Sequence, residues 1–371
     1  MSTARLMVAA SGHDADMLYA TRFYADDPFV WWEARGKTHV ALSPLEIDRA
    51  RPIARQHQWQ VHGIGEFLPA QAKDNSTSAV ISGIAEKYRL PSFLVPGQFP
   101  SGLLEKLRAK GLKITVSDQP FFPERTRKTK EEIDALTLAL RVAETGLRRG
   151  VEVLKASRAD RRGFLKWGKS PLTSERLRAE MDSAVLHAGG SPANTIVAGG
   201  NQGCDPHERG HGPLRANEAI VLDIFPRHAR NHYYGDLTRT VVRGHASEAL
   251  RQQYATVQEG KRWVMKQMRD GADGPALQKE LIERFKSAGY PTEQRDGRWV
   301  GMFHGVGHGL GLDLHESPRF AAGKLFAGLS ITVEPGLYYP GVGGVRIEDV
   351  VIVGQTGTRN LTKFEEELEL R

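Results

Sequence analysis

Along the first third of the chain, short apolar runs alternate with stretches whose apolar residues recur at helical spacing. Thr38-His39-Val40-Ala41-Leu42 reads as a strand, Pro44 to Arg51 as the start of a helix and Ala79 to Tyr88 as a second helix. Phe93-Leu94-Val95 is a further strand, followed by a helical Leu103 to Lys110 and a strand over Leu112 to Val116, with breaks at Pro96-Gly97 and Pro120. This rhythm predicts an α/β unit, a sheet covered by helices, over residues 1–123.

After Pro123 the pattern changes. Ile133, Leu136, Leu140, Ala143 and Leu147 predict a long helix from Lys130 to Arg149, and Ser174 is the expected N-cap of another helix running to Leu186. Strand-like runs then follow at Ile220–Leu222, Thr240–Val242, Ile331–Val333 and Val350–Val353, separated by helical stretches Glu248–Arg269 and Ala276–Ala288. Strands interrupted by helices without a regular βαβ alternation predict an α+β domain over 124–371.

Composition narrows the class. At 371 residues and 40% apolar content the chain can bury two ordinary cores. Cys204 is the only cysteine, so no intrachain disulfide and no cysteine zinc site can form, which suits a reducing cytoplasm. No secretory leader is expected, and no apolar run approaches the roughly 20 residues of a membrane span. The net charge of +7 comes from 51 basic residues dispersed among 44 acidic ones. Its densest basic patch, Arg125 to Lys130, runs into Glu131-Glu132 without interleaved aromatics, so neither a nucleic-acid nor a membrane partner is expected.

Four acids interrupt strand-like sequence: Asp223 in Val-Leu-Asp-Ile-Phe, Asp236 in Gly-Asp-Leu-Thr-Arg-Thr, Glu334 in Thr-Val-Glu-Pro-Gly, and Glu348 in Val-Arg-Ile-Glu-Asp. A charge buried in an apolar strand needs a partner, because leaving it bare costs several kcal/mol. Arg239 and Arg346 could serve two of the four. The set also suits a pair of divalent cations bridged by carboxylates, and oxygen-rich donors with one imidazole favour manganese, with cobalt or zinc as alternatives. The imidazole has candidates close by, since Gly301 to Glu316, GMFHGVGHGLGLDLHE, carries His304, His308 and His315. Taken singly, each residue is equally readable as a cap, an ordinary ion pair or a surface loop histidine.

In order, Gly-Asp-Leu-Thr-Arg-Thr, His-Gly-Val-Gly-His-Gly-Leu-Gly-Leu-Asp-Leu-His-Glu, Val-Glu-Pro-Gly-Leu-Tyr and Val-Arg-Ile-Glu-Asp resemble the motifs of the pita-bread metallopeptidases. The similarity is to the proline-selective branch, which contains Xaa-Pro dipeptidase (prolidase) and aminopeptidase P and carries a creatinase-like N-terminal domain. The resemblance implies Asp223, Asp236, His308, Glu334 and Glu348 as ligands of two metal ions, with Asp236 and Glu348 bridging. It also implies Glu334 as general acid and base, His304 and His315 beside the substrate carbonyl, and His207 as the upstream active-site histidine, with His211 a rival. Arg346 would orient Glu348 or a substrate carboxylate.

The expected activity is hydrolysis of the bond between an N-terminal residue and proline by a cytoplasmic homodimer acting on Xaa-Pro dipeptides or short peptides. A dipeptidase is favoured over aminopeptidase P, and a non-catalytic binding module is the reading from another class. One departure stands out: Asp223 and Asp236 lie thirteen residues apart, slightly more than in the family pattern, and Phe225-Pro226-Arg227-His228 is expected to lengthen the hairpin between them. An even insertion would preserve the faces of a period-two strand.

Overall fold

The computed structural model describes residues 3–371, which divide into two compact units, one ending at Arg125 and one beginning at Thr126. The first unit is built on six strands, β1 (Ala4–Ala9), β2 (Phe29–Ala34), β3 (Lys37–Leu42), β4 (Gln60–Gly63), β5 (Ser92–Val95) and β6 (Lys113–Val116), in the order β4-β3-β2-β1-β5-β6. Only β2 runs against its neighbours; β3 with β4, and β1 with β5 and β6, are parallel pairings joined through helices. Arg35 and Gly36, both at positive φ (53° and 71°), form the tight turn between β2 and β3, a geometry that matches the right-handed twist of the strands it joins.

Both faces of this sheet are covered. Leu6, Trp32 and Ala41 point into one core and Met7, Trp31 and Val40 into the other, so consecutive residues on each strand are all apolar. The strands β1 and β2 were not predicted, because such continuous apolar runs carry no alternation to mark them.

In the second unit the helix begun at Lys130 continues to Ala156, past the expected end at Arg149. Thr129 and Glu132 close its N-terminus with a capping box. Gly150 does not end it; a Cβ there would stand 2.9 Å from Met181 Sδ, so this glycine admits the neighbouring helix Ser174–His187 at close range. That second helix is capped by Thr173, whose hydroxyl accepts from Arg176 N, rather than by Ser174, because the chain is still extended at Thr173.

Two antiparallel-rich sheets carry the rest. One contains the strands Ile196–Gly199, Ile220–Ile224 and Leu237–Arg243, with Glu369–Leu370 at its edge. The other runs Glu316–Arg319, His308–Gly309, Ser330–Val333, Asp349–Val353, Thr358–Asn360. Helices Glu248–Gln267 and Gly274–Ser287 pack on the second through Val257, Leu281, Phe285, Ile331 and Val351. Within the segment Phe225 to His228, Arg227–His228 forms a short pairing with Gly190–Ser191. Among the described residues no helix is long and apolar enough to cross a membrane.

Candidate active site

Strand register brings the four predicted acids together in pairs. Asp223 stands opposite Thr238 on the adjacent strand, and Asp236, two residues before Thr238, shares its face. In the other sheet Val333 pairs with Asp349, so the next positions outward, Glu334 and Glu348, are cross-strand neighbours. The two pairs are tied together: Glu348 N donates to Thr238 O at 3.1 Å, and Thr238 Oγ1 donates to Glu348 Oε2 at 2.7 Å.

The glycine-rich segment delivers the imidazole. A Cβ on Gly307 would fall 2.0 Å from the Thr332 carbonyl oxygen, so only glycine lets this chain run against the Ser330–Val333 strand. His308 N then donates to Thr332 Oγ1 at 3.0 Å, while that hydroxyl donates to Glu334 Oε1 at 3.1 Å. His308 Nδ1 lies 3.1 Å from the Gly309 carbonyl, which can only accept, so the proton is on Nδ1 and Nε2 presents its lone pair. That lone pair faces Glu334 Oε1 at 3.3 Å and Asp236 Oδ2 at 3.7 Å. Donor atoms of Asp236, His308 and Glu348, all buried, lie within 4.8 Å of one another, an arrangement able to hold a metal ion.

Of the two arginines offered as partners, Arg346 reaches Asp223 Oδ2 at 2.6 Å and not Glu348. Arg239 meets none of the four. It lies on the opposite face of its strand, donates to the Glu348 backbone carbonyl at 2.5 Å and pairs with Asp349 Oδ1 at 2.8 Å. Lys261 and Asn360 complete the ring around Asp349, at 2.6 and 2.9 Å from Oδ2, and Lys261 also binds Glu366.

Arg346 carries a second chain outward. Its guanidinium donates to Tyr338 Oη at 3.1 Å, and Tyr338 in turn lies 2.8 Å from His304 Nε2. His304 Nδ1 is held by the Gly305 carbonyl at 2.8 Å, so the Tyr338 hydroxyl is the donor to Nε2. His315 is exposed and packs edge-on against His308, ring centroids 4.3 Å apart. His207 is also exposed and is close enough for its charge to act on both His304 and His315; His211 instead lies 3.5 Å from Glu208.

The loop that carries His315 is anchored by a buried ion pair. Lys128 Nζ lies 2.6 Å from Glu316 Oε2, and the other carboxylate oxygen accepts from Leu312 N and Asp313 N.

Crowding carboxylates together away from water disfavours the charged forms of Asp236, Glu334 and Glu348. Burial first, then the charges of Glu348, Asp223 and Glu334, hold Asp236 well above the ordinary range. Burial and the Glu334 charge do the same to Glu348, and burial pushes Glu334 up to about 7. Burial lowers His308 to about 4 and, with the Arg346 charge, His304 to about 4. Burial opposes the charge on Arg346, yet Tyr338 and Asp223 raise it well above its usual value, so it stays a cation. Asp223 Oδ1 is buried with no hydrogen-bond partner among the described residues.

Thr238, Thr332 and Tyr338 were not singled out from the sequence. Tyr338 closes the motif Val-Glu-Pro-Gly-Leu-Tyr, and Thr238 and Thr332 each sit two residues from a predicted acid, so for Asp236 and Glu334 the signal was the period-two neighbour of the carboxylate.

Residues 134–355 match the family model of metallopeptidase family M24. The Xaa-Pro dipeptidase of Pyrococcus furiosus is 31% identical over 247 residues, a match spanning 65% of this chain and 64% of that enzyme. The Xaa-Pro dipeptidase of Pyrococcus horikoshii is 26% identical over 315 residues, spanning 82% of this chain and 83% of the relative. Among solved structures, an X-Pro aminopeptidase from Thermotoga maritima superposes with a TM-score of 0.82 at 20% identity, over 99% of this chain and 97% of that one. A prolidase from Pyrococcus horikoshii superposes at 0.77 and 22% identity, over 99% and 95%. The fold is therefore the pita-bread fold of the second unit preceded by an α/β unit. With the matched family model covering more than half of its length, the chain belongs to metallopeptidase family M24.

Proposed function

We propose that this protein is a two-metal Xaa-Pro dipeptidase, hydrolysing the bond between an N-terminal residue and proline. The observation that carries the reading is the group of Asp223, Asp236, His308 and Glu348, all buried, with the half-buried Glu334 beside them; among the described residues Arg346 is the arginine that forms an ion pair with one of these carboxylates. These residues fit a pair of divalent cations: Asp223 Oδ1 is orphaned, the His308 Nε2 lone pair faces carboxylates that cannot donate to it when ionised, and Asp236 and Glu348 lie close enough to share ions. Manganese suits this oxygen-rich donor set, with cobalt or zinc next. Bound there, the ions would supply Lewis acidity and a water that ionises near neutral pH.

The chain's own groups account for the remaining needs of the reaction. Glu334, at the half-buried edge of the group, is placed to take a proton on its carboxylate and return it to the leaving proline nitrogen. Proline has no backbone N–H to offer a ladder of hydrogen bonds, so recognition must come from side chains around the scissile bond. His304, His315 and His207 form that group. Tyr338 fixes the ring of His304 and is itself held by Arg346, which therefore orients Asp223 and His304 together.

The test is proline release from Ala-Pro, Ala-Pro-Ala and a longer Xaa-Pro peptide by metal-stripped protein reloaded with manganese, cobalt or zinc. Cleavage confined to the dipeptide is expected. Cleavage of the longer peptides would make the protein an aminopeptidase P, and no cleavage with any metal, with an Asp236→Ala chain behaving identically, would remove the peptidase reading.

A further inference from the structure

In the first unit, His39 on β3, His62 on β4 and Tyr88, the last residue of the helix Thr77–Tyr88, turn their polar atoms toward one point. His39 Nδ1 lies 3.2 Å from His62 Nε2, and Tyr88 Oη lies 3.5 Å from the first and 3.3 Å from the second. Trp32 stacks on His39 with centroids 5.0 Å apart and an interplanar angle of 11°, and Phe67 closes the side against His62. His39 is 5% exposed, so this is a largely dry box with His62 nearest its edge.

The proton positions make the grouping unusual. His62 Nδ1 lies 3.2 Å from the Glu66 carboxylate, which only accepts, so that nitrogen carries the hydrogen and Nε2 is bare. Burial holds the His39 ring neutral by lowering it to about 4, and its Nδ1 is the atom turned to His62 and Tyr88. In one His39 tautomer Nδ1 donates to the bare His62 Nε2; in the tautomer that carries its hydrogen on Nε2, two imidazole lone pairs face each other at 3.2 Å. The single Tyr88 hydroxyl can donate to one of them.

We propose that His39 Nδ1, His62 Nε2 and Tyr88 Oη form a binding site for a divalent transition cation of the zinc or copper class, separate from the M24 metal cluster. Around a tetrahedral ion with ligands at about 2.0–2.1 Å, neighbouring donor atoms stand about 3.3 Å apart, which is the triangle these three atoms make. Imidazole donors select zinc or copper over the harder ions suited to the carboxylate cluster. The outer contact on His62 is one a metal-bound histidine uses, a carboxylate at Nδ1 that fixes the tautomer pointing a lone pair inward. Glu66 also accepts from Gly63 N and Lys87, which holds the carboxylate in place behind His62.

The experiment uses the full chain. Wild type, His62→Gln and Glu66→Gln proteins are equilibrated with Zn2+, desalted and assayed for metal, and the visible spectrum of each is recorded after Co2+ replaces Zn2+. His62 is half-buried and Glu66 exposed, so both variants are expected to fold, as a retained melting transition and unchanged dipeptide cleavage would verify. The expected result is one Zn2+ fewer per chain in His62→Gln with loss of a tetrahedral Co2+ band, and a Zn2+ affinity about tenfold to a hundredfold weaker in Glu66→Gln. Equal metal content and identical Co2+ spectra in wild type and His62→Gln would overturn the proposal and leave a proton shared between the two rings only.

Discussion

Replacing Lys128 by methionine keeps most of the side-chain volume but removes the cation facing Glu316. Both side chains are almost entirely enclosed, at 3% and 6% exposure, so the carboxylate left behind cannot turn to water. Removing one partner of such a pair costs about 3–5 kcal/mol. The Leu312 and Asp313 N–H groups still donate to the other oxygen, at 2.9 and 3.3 Å, which places the expected loss at the lower end, about 3 kcal/mol. For a unit of this size that lowers the melting temperature by roughly 6–12 °C. Because the Glu316 carboxylate ties down the turn that carries His315, kcat/KM on Ala-Pro should fall as well. The decisive assay is a double-mutant cycle by urea and thermal unfolding. Glu316→Gln removes the carboxylate charge that Lys128 faces, so the Lys128→Met/Glu316→Gln chain should be more stable than the sum of the single losses predicts, by about 1 kcal/mol or more. A Lys128→Met chain melting within about 1 °C of wild type, or two losses that simply add, would refute the reasoning.

Three further outcomes are expected. Tyr338→Phe breaks the link from Arg346 to His304 without touching an acid, so kcat/KM should drop about tenfold to a hundredfold while metal content, read by elemental analysis, stays constant; an equal loss of metal would show that the tyrosine acts on the ligands. Gly307→Ala forces a Cβ into the Thr332 carbonyl at 2.0 Å, so purified protein should lose bound metal and melt earlier; full metal retention would mean the strand can shift. In chelator the carboxylate cluster makes stability depend on pH. Glu334 rises from 4.5 to about 7 in the folded chain, so the metal-free protein keeps this contribution below 4.5 and loses it as pH climbs through about 7. The gap in melting temperature between metal-loaded and stripped protein should therefore widen from pH 5 to pH 8; a constant gap would contradict the clustering of the acids.

The chemistry of the candidate site was more legible in the sequence than the scaffold that builds it. Asp223, Asp236, Glu334 and Glu348 stand out because a carboxylate in an apolar strand is anomalous wherever it occurs, and the histidines stand out because glycine surrounds them. The partners of these residues were not legible. Arg239 and Arg346 look equivalent, each next to an acid-bearing strand, yet Arg239 turns away to Asp349 while Arg346 turns in to Asp223; only the three-dimensional register assigns the faces. In the same way β1 and β2 hide in runs buried on both sides, and the helix through Gly150 hides because its glycine serves a neighbour rather than an end.

Glu348 and Asp349 are consecutive acids at the start of the strand Asp349–Val353 and face opposite ways, the first toward Asp236 and His308 and the second into the ring of Arg239, Lys261 and Asn360. The chemistry and the framework thus hang on separate codons. On the proposed reading, a descendant that replaced Glu348 alone would lose a metal ligand and one hydrogen bond from Thr238 while keeping the charges that fasten the sheet to the helix Glu248–Gln267, whereas a change at Asp349 would strike the framework first. On that reading inactive but folded lineages are one substitution away, and an intact Asp349 beside an altered Glu348 would be their mark.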